Sequence, residues 1–581
     1  MKSLIHIKLV LFIFLFVPLL TKAQNLSQIY RAAGTPHGTK VNIAFNRYYD
    51  AEGLAEIGKK IAEAHPNLVK RISIGKSYQG RDIWLLAITD YSEGDPDRKP
   101  GFYVDGNIHS NELQGSEICI YTAWYLTEGF KDIKYVKEML KDRIFYIAPT
   151  INPDARNNHL EEGNTGSTPR SGMIPLDDDS DGKVDEDGLD DLDGDGSITQ
   201  MRRKSDYGNF IIDPQDPRKM IQIGPDDVVT AQRYEFLGTE GIDNDGDGRI
   251  NEDRPGYYDP NRDWGWKWQP DYIQRGAYKY PFSAPENKAV ADFILAHPNI
   301  SGAQSYHNTG GMILRGPGAA EDVGTYNRAD IRIYDAIGKK GAEMIPGYRY
   351  LIVYKDLYSV FGGELDWFYG GRGIYTFSNE LYTSFMLYKK SRRDRDPDER
   401  YKAEKDLLLG DAFTPWASYD HPTYGEIEIG GFKKTFGRNT PGFLLEEECH
   451  RNMVFTFYHA FHMPRLSVAE VNVKPMGNGL NEVTAVIKND RLMPTHASHD
   501  LKYKIERPDY VGISGGRVIA GMIVENEDFN VTREQKVSPE KLKVANIPGN
   551  SIVKVRWIVK GGDKYTVTVD SAKGGVASGS N

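Results

Sequence analysis

A histidine and a glutamate three residues apart, His109 and Glu112, are the first residues of this chain whose types and spacing could bind a metal. They follow the apolar run 102–104 and precede a helical pattern, so they lie where a predicted strand ends and a predicted helix begins. Zinc accepts imidazole nitrogen and carboxylate oxygen, and such a pair with one distant histidine leaves a fourth position open for water. The pair alone is weak evidence, because H-x-x-E occurs often by chance.

Two further residues extend this pattern. His307 is the candidate third ligand, and it comes at the end of the predicted strand 302–306. Glu380 closes another predicted strand, and open α/β sheets bind ligands at the carboxyl ends of their strands. Taken singly, His307 would more often be a structural residue and Glu380 a surface carboxylate. Together with the first pair, they predict a metal site with a base beside it.

Length and composition indicate a soluble protein with more than one domain. The 581 residues are many for a single hydrophobic core, so we expect two domains. The hydrophobic content of 39%, the charged content of 27% and the net charge of -10 do not point to nucleic acid as a partner. Two cysteines, Cys119 and Cys449, are too few for a disulfide framework, and we expect both to be buried free thiols.

The N-terminus has the pattern of a secretory signal peptide. Lysines precede the apolar run 9–20, and a small residue, Ala23, ends the segment 1–23. We therefore expect cleavage after Ala23 and a secreted or periplasmic protein. A membrane anchor is the competing interpretation, but the run is short for a spanning helix and no second candidate follows, so we expect no stable membrane span.

Strand and helix patterns alternate between residues 50 and 463, which is typical of a layered α/β sheet. They begin with a helix at 50–64 and a hairpin formed by 68–74 and 83–88. After Pro464 the predicted strands, including one at 501–505, follow one another without helices. We therefore predict an all-β sandwich domain at 464–575 and a flexible tail at 576–581.

An acidic insertion interrupts the alternation at about 160–258. It repeats the pattern D-x-D-x-D-G three times, as an EF-hand-type calcium loop begins. None of the three copies has the glutamate that such a loop carries at position twelve. The alternatives are calcium binding and a merely solvated acidic insertion. The candidate calcium ligands are Asp177, Asp179 and Asp181, then Asp191, Asp193 and Asp195, then Asp243, Asp245 and Asp247.

From about residue 48 to residue 462, interrupted by the insertion, the chain resembles the zinc carboxypeptidases of the carboxypeptidase A type. The resemblance implies a catalytic domain at 24–463, a three-layer α/β/α sandwich with a mixed sheet of about eight strands. It also implies a zinc metallocarboxypeptidase, which removes the C-terminal residue of a peptide. The stretches that carry the resemblance are 106–117, 150–154, 259–264, 358–367 and 375–381.

The resemblance also implies roles for individual residues. His109, Glu112 and His307 would hold one catalytic zinc, and Glu380 would activate the zinc-bound water. A fixed cation is needed for the developing oxyanion, and Arg202, with Arg203 as the alternative, best matches the family's arginine. The remaining roles fall to Asn261 and Arg262 for the substrate carboxylate, Tyr358 for covering the bound residue, and Leu365 for contacting its side chain. Leu365 favours an apolar C-terminal residue, but Glu364 and Arg315 nearby leave a basic or acidic preference open.

Three functions remain open from the sequence. The first is a secreted metallocarboxypeptidase whose partner is a peptide with a free C-terminal carboxylate. The second is a zinc hydrolase or amidase that acts on cell-wall-type peptides. The third is a non-catalytic binding protein that works through its β-domain. The three ligand candidates and Glu380 disfavour it, because a binding module does not need a positioned base. Nothing in the sequence indicates the oligomeric state.

Overall fold

The computed structural model describes residues 32–166, 170–177, 180–224, 226–390 and 396–581. The predicted signal peptide at 1–23 lies outside this range. The described strands, in chain order, are β1 (Val69–Lys76), β2 (Asp82–Ile88), β3 (Gly101–Gly106), β4 (Ile144–Ala148), β5 (Gln200–Lys204), β6 (Phe210–Ile212), β7 (Met220–Gln222), β8 (Arg233–Thr239), β9 (Ile300–Asn308), β10 (Met312–Arg315), β11 (Arg349–Ile352), β12 (Tyr375–Leu381), β13 (Phe413–His421), β14 (Gly425–Phe432), β15 (Leu466–Gly477), β16 (Leu480–Asn489), β17 (Asp509–Ser514), β18 (Arg517–Asn526), β19 (Val531–Glu534), β20 (Lys541–Val544), β21 (Ser551–Lys560), β22 (Thr566–Ser571) and β23 (Gly575–Ser580).

The α-helices of the same residues range from single turns to twenty residues. In chain order they are α1 (Ala51–Ala64), α2 (Gln114–Gly129), α3 (Lys134–Asp142), α4 (Pro153–Glu161), α5 (Pro285–Ala296), α6 (Arg328–Met344), α7 (Val353–Asp356), α8 (Glu364–Asp366), α9 (Phe385–Tyr388), α10 (Glu399–Leu407), α11 (Gly442–Phe461) and α12 (Ser498–Tyr503). The first helix begins where the sequence predicts it, because the Asp50 side chain accepts a hydrogen bond from the backbone N–H of Gly53 at 2.6 Å.

The N-terminal part of the chain is built on a mixed eight-stranded sheet in the order β1-β2-β4-β3-β9-β12-β10-β11. Its central strands β3, β4 and β9 are buried along their whole length, as expected for strands covered on both faces. Helices α1, α2, α6 and α11 pack on one face and α5 packs on the other. The predicted three-layer α/β/α sandwich is therefore confirmed.

The acidic insertion does not consist of loops alone. Its strands β5 to β8 join the hairpin β13–β14 in a second, six-stranded sheet with the order β13-β14-β5-β8-β6-β7. A small apolar cluster around Met201, Ile427 and Ile429 holds the two sequence segments together. The insertion thus obtains its core from residues more than 200 positions away in the chain.

The C-terminal part is the predicted all-β domain, with a five-stranded sheet (β15-β16-β21-β18-β19) facing a four-stranded sheet (β20-β17-β22-β23). Two predictions within it are wrong. Residues 501–505, expected as a strand, lie in and just after helix α12. The segment 576–581, expected as a flexible tail, contributes most of strand β23, because its backbone pairs with β22 from Gly575 to Ser580.

Buried polar contacts join the β-domain to the catalytic domain. The Lys573 ammonium donates to the carbonyl oxygens of Arg372 and Gly373 at 2.8 and 3.1 Å. The backbone N–H of Ser498 donates to Asp330 on α6 at 2.8 Å. Because these groups are buried, their separation would leave unpaired donors and acceptors, so the contacts hold the two domains together. Among the described residues no helix is long and apolar enough to span a membrane.

A buried histidine gives the β-domain a pH-dependent contribution to stability. Burial opposes the charge on His496, but Asp500 at 2.8 Å and Asp509 at 3.4 Å outweigh it and raise the pKa of His496 to about 9. A raised pKa stabilises the folded state at pH values below the unfolded-state pKa of about 6.5, and this stabilisation is lost as the pH rises through about 9. We expect His496→Gln to cost about 3 kcal/mol at pH 6, because it leaves the buried Asp509 without its cation and Asp500 with only Lys573, at 3.5 Å.

Urea denaturation at pH 6 and pH 10 measures this effect. The loss of unfolding free energy should be clearly smaller at pH 10. Lys474→Gln, at an exposed position of β15, is the control and should change the unfolding free energy little at either pH. An equal loss for His496→Gln at both pH values would contradict the assignment of a charged His496.

Candidate active site

A turn between β3 and α2 presents the first two metal-ligand candidates. Asn107 adopts a left-handed conformation with φ of 61°, which asparagine tolerates better than most residues. Its side chain donates to the carbonyl oxygens of His109 and Ser110 at 2.8 and 3.2 Å and accepts from the Thr150 hydroxyl at 3.0 Å. The turn is therefore fixed by a buried asparagine, and it directs the side chains of His109 and Glu112 toward the end of β9.

The structure brings His109, Glu112 and His307 together. Glu112 Oε2 lies 2.9 Å from His109 Nδ1 and 3.0 Å from His307 Nδ1, and the two nitrogens are 3.2 Å apart. Metal–ligand distances of about 2.1 Å in a tetrahedron separate neighbouring ligand atoms by about 3.4 Å, close to the distances observed here. The three buried atoms thus have the spacing, the chemical type and the number that zinc requires, with one tetrahedral position left for a non-protein ligand.

Charged neighbours orient two of these ligands. Asp259 Oδ1 lies 2.9 Å from His109 Nε2, so it can fix the tautomer that leaves Nδ1 free for a metal. Arg170 and Arg438 each donate to Glu112 Oε1 at 3.1 Å. Burial would raise the pKa of Glu112, but the two histidines outweigh it and hold this pKa well below its usual range. Glu112 is therefore a carboxylate, the form that binds metal.

Glu380 lies beside the ligands because of the sheet register. It pairs with His307 across the parallel strands β12 and β9, so both side chains come from the same level of the sheet. Burial and the nearby Glu112 raise the pKa of Glu380 to about 7. A carboxylate with a pKa near neutrality can accept a proton and then release it, which suits a general base.

The pair expected to bind a substrate carboxylate also lies at this site. Asn261 and Arg262 are in a short 3₁₀ turn, Pro260–Arg262, that Asp259 caps by accepting from the Asn261 N–H at 2.8 Å. Asn261 Nδ2 is 3.5 Å from His307 Nε2. Tyr358 lines the same cleft and is 54% exposed, so its ring is free to move over a bound residue.

The cleft continues into a cavity with apolar walls, formed in part by Leu314, Val353 and Leu365. Arg315 is not among its lining residues, because its guanidinium donates to the Tyr350 hydroxyl at 2.8 Å. Burial and then repulsion from Asp105 raise the pKa of Glu364 well above its usual range. The wall formed by Leu314, Val353 and Leu365 therefore offers apolar surface to a substrate side chain.

The structure does not bring Arg202 to the ligand cluster. Arg202 lies on β5 in the second sheet, where its guanidinium stacks on Trp416 at 4.0 Å and pairs with Glu428 at 2.6 Å. Its alternative, Arg203, pairs with Glu235 in the same sheet. The cations beside the candidate ligands are Arg170 and Arg438, and Arg170 both contacts Glu112 and lies 2.9 Å from His109 Nε2.

Sequence reasoning missed Arg170 because it aligned the family's arginine with the stretch 198–204, deeper in the insertion. One signal could have located it. Arg170 follows the helix α4 within nine residues and precedes the first acidic loop, so it belongs to the segment that leaves the main sheet. Arg438, which comes from the loop before α11, has no counterpart among the sequence predictions.

The acidic loops share one backbone conformation. In each copy the first aspartate accepts from the N–H of the glycine five residues later, at 3.0, 2.9 and 3.0 Å for Asp177, Asp191 and Asp243. The first and third loops are joined by a β-bridge between Asp187 and Asp253. Asp179 lies outside the described residues.

Carboxylates of these loops converge in several groups. Asp191, Asp193 and Asp195 form one group, and Asp187, Asp245 and Glu252 form another. Contact with Asp253 and burial raise the pKa of Glu186 to about 7, and burial and Asp187 raise the pKa of Glu252 to about 7. Glu186 and Glu252 each follow the first aspartate of a loop by nine residues, so they occupy position ten rather than position twelve.

Family models match both the N-terminal part and the C-terminal part of the chain. A family model described as zinc carboxypeptidase matches residues 54–165 and 234–395, and a model described as a domain of unknown function matches residues 465–580. The gap in the first match, 166–233, falls within the acidic insertion. The metal-ligand candidates and Glu380 all lie in the matched segments.

Curated relatives match over shorter stretches. A zinc carboxypeptidase of Saccharothrix mutabilis subsp. capreolus is 32% identical over 19% of this chain and 25% of its own length. Carboxypeptidase D of Drosophila melanogaster is 28% identical over 20% of this chain and 8% of its own. An inactive metallocarboxypeptidase, ECM14, of Ajellomyces capsulatus is 30% identical over 21% and 20%, respectively. The chain therefore spans a quarter or less of the length of these relatives.

Solved structures match over a larger part of the chain at lower identity. Thrombin-activatable fibrinolysis inhibitor has 17% identity and a TM-score of 0.43, over 72% of this chain and 77% of its own. Carboxypeptidase A of Helicoverpa armigera has 17% identity and a TM-score of 0.40, over 63% and 74%. The family match and the curated relatives agree, and residues 54–165 and 234–395 of this chain belong to the zinc carboxypeptidase family.

Proposed function

We propose that the protein is a zinc metallocarboxypeptidase that hydrolyses the C-terminal peptide bond of peptides. The observation that carries the proposal is the convergence of three metal-ligand atoms, 2.9 to 3.2 Å apart, beside Glu380 and next to Asn261 and Arg262. A binding module needs neither the positioned base nor the ligand set. The carboxylate-binding pair beside the ligands supports an exopeptidase, since it can hold a free α-carboxylate.

In this proposal the residues of the cleft have separate roles in binding and hydrolysis. When bound, zinc would supply a Lewis acid that polarises the scissile carbonyl and lowers the pKa of water. Glu380 takes a proton from the attacking water on its carboxylate and passes it to the leaving amine. Arg170, in place of Arg202, donates hydrogen bonds to the developing oxyanion. Asn261 and Arg262 orient the terminal carboxylate, and Tyr358 covers the bound residue and excludes water.

We also propose that the enzyme prefers an apolar C-terminal residue. The walls of the cavity beyond Asn261 and Arg262 are aliphatic, and Leu365 is among them. Burial, followed by repulsion from Asp322, raises the pKa of Asp366 to about 7, and this carboxylate already accepts from the N–H of Gly318 at 2.8 Å. It is therefore not available to a basic substrate side chain.

Mass spectrometry of products from a mixed peptide library tests the proposal. The zinc-loaded full-length chain should release single C-terminal residues, with leucine and phenylalanine released faster than lysine or glutamate. Release of internal fragments, or no release from any peptide with a free α-carboxylate, would contradict the proposed function. Cleavage confined to peptides with cell-wall-type linkages would favour an amidase instead.

We further propose that the chain is exported. Support comes from the apolar run 9–20 and the small residue Ala23 at the end of segment 1–23. Expression in a bacterial host with an intact export pathway should give a mature chain that begins at Gln24. N-terminal sequencing checks this, and a chain that retains residues 1–23 in the cytoplasm would contradict export.

We propose that the acidic loops bind calcium to stabilise the insertion. Asp191, Asp193 and Asp195 form a carboxylate group, while Glu186 and Glu252 supply further carboxylates next to neighbouring loops. Carboxylates held this close repel one another unless a cation or a proton lies between them. Adding millimolar calcium to the zinc-loaded protein should therefore raise the melting temperature by about 2–4 °C.

The matched variant for this test is the double substitution Asp243→Asn and Asp245→Asn, which removes two carboxylates of the third loop without changing their size. The calcium-induced shift should shrink in this variant. Magnesium at the same concentration should have less effect, because it accommodates such irregular oxygen sites poorly. An unchanged melting temperature in calcium would contradict the proposal.

A further inference from the structure

A second cavity lies beside the candidate metal site and is lined by an excess of cations. We call it the cationic cavity and define it by Arg349, Lys390, Arg400 and Arg438, with a volume of about 620 Å³. One carboxylate, the buried Glu399, also lines it. The whole chain carries a net charge of -10, so a general basic character does not account for these four cations.

Most of these cations have no carboxylate partner among the residues that the structure describes. Arg438 donates to Glu112, but within the described parts of the chain neither Arg349 nor Lys390 nor Arg400 forms an ion pair. Asp396 is near Lys390, but its carboxylate pairs with Lys402. Charged groups left unpaired around one cavity produce a positive potential there.

Two of the guanidinium groups are held in place. Arg400 stacks on the rings of Phe432 and Phe436, at 3.7 and 5.5 Å. Gly437 allows this position, since a Cβ atom there would come within 3.1 Å of the Arg400 guanidinium. Arg438 has a buried Nε donor without a hydrogen-bond partner, so it can still donate to a ligand. Positioned donors of this kind bind carboxylates better than mobile lysines do.

One lining residue of the cationic cavity, Arg438, contacts the metal-ligand cluster. Arg170 and Arg438 both donate to Glu112 Oε1; Arg170 lines the cleft with Asn261 and Arg262, whereas Arg438 lines the cationic cavity. The cavity also includes Tyr382, which follows Glu380 by two residues. A peptide whose last residue occupies the cleft must continue past the metal ligands, and Arg438 connects those ligands to the cationic cavity.

From this arrangement we propose that the cationic cavity binds the residues that precede the scissile bond and selects peptides with acidic side chains at those positions. The inference rests on the proposed function for the direction of the peptide. It adds a substrate class, namely peptides with an apolar C-terminal residue preceded by glutamate or aspartate. Glu399 limits the positive charge but does not cancel it, because it is one carboxylate among four cations.

Binding to a hydrolysis-deficient protein tests the proposal directly. The zinc-loaded Glu380→Gln variant is titrated with three peptides that end in leucine and carry glutamate, glutamine or lysine at the three preceding positions. We expect the glutamate peptide to bind at least about fivefold more tightly than the glutamine peptide, as for a partly exposed ion pair, and the lysine peptide to bind most weakly. The preference should decrease as the salt concentration rises.

Substitutions in the cationic cavity test whether its cations cause the preference for the glutamate peptide. Arg349→Gln and Lys390→Gln, at exposed positions, should each reduce the ratio of glutamate-peptide to glutamine-peptide affinity by a few-fold, and Arg400→Gln should reduce it more. Arg517→Gln, on strand β18 of the β-domain, removes an exposed arginine far along the chain and should leave the ratio unchanged. Arg349 and Lys390 keep the test valid if Arg400→Gln does not fold.

The outcomes separate this proposal from the proposed function. Equal affinity for the three peptides would overturn the cationic-cavity proposal, whatever the wild-type enzyme hydrolyses. A clear preference for the glutamate peptide that is lost in the cavity variants would support it, even if the wild-type enzyme released no C-terminal residue. In that case only the proposed function would fail.

Discussion

Replacing Glu380 by glutamine is expected to lower kcat for C-terminal hydrolysis by about 10³-fold while zinc stays bound. The amide keeps the size of the carboxylate but cannot accept a proton from the attacking water. Glu380 is not among the three converging ligand atoms of His109, Glu112 and His307, so the affinity for metal should persist. Steady-state kinetics on a leucine-ending peptide and the zinc content of the dialysed protein measure the two effects.

A second buried glutamate provides a matched control. Burial raises the pKa of Glu448 to about 7, as for Glu380, but Glu448 lies on α11 and accepts from the Tyr348 hydroxyl at 2.8 Å. Glu448→Gln should change kcat by no more than about twofold, although it can lower stability. If Glu380→Gln retains near wild-type kcat with zinc bound, the assignment of Glu380 as the base is wrong.

The arrangement of the metal-ligand candidates could be predicted from the sequence, because residues at the ends of neighbouring parallel strands lie close together in the fold. His109 and His307 are 198 residues apart, yet each follows or ends one of two adjacent parallel strands, β3 and β9. Glu380 closes β12, the neighbour of β9 on its other side. In a parallel sheet such positions meet at one edge. The predicted apolar strands, together with the order of the family's motifs along the chain, were therefore sufficient to predict the metal-ligand candidates.

The same reasoning failed in the acidic insertion, where no periodic hydrophobic pattern indicates which segments pair. The insertion is rich in aspartate and glycine, and its second sheet depends on pairing between β5 and β14, whose residues are more than 200 positions apart. Local sequence does not encode such a pairing. The alignment of Arg202 with a catalytic role depended on the path of this segment, so it was the least constrained of the assignments.

Two local predictions in the β-domain failed for a related reason. The alternation of residues 501–505 favours a strand, but the preceding segment docks on the catalytic domain, where Ser498 donates to Asp330, and the chain forms helix α12 there. The glycine-rich end of the chain has little strand propensity, yet the free edge of β22 supplies hydrogen-bonding partners for it. In both cases tertiary contacts outweighed propensity.

Replacing Arg170 by glutamine is expected to lower kcat by about 10²- to 10³-fold, the usual cost of removing one donor to a developing oxyanion. Arg170 donates to Glu112 at 3.1 Å from within the cleft. Burial opposes its charge, but the carboxylates of Asp259 and Glu112 outweigh burial and hold the pKa of its guanidinium above its ordinary value. The group therefore stays charged, and its planar fork is held beside the place where negative charge develops.

Arg202→Gln is the comparison that decides between the two arginines. Arg202 stacks on Trp416 and pairs with Glu428 in the second sheet, so its loss should lower the melting temperature and leave kcat per bound zinc near that of the wild type. The reverse result, in which Arg202→Gln loses kcat and Arg170→Gln does not, would restore the assignment made from sequence. It would also require the second sheet to move toward the cleft when substrate binds, because Arg202 otherwise has no route to the reacting carbonyl.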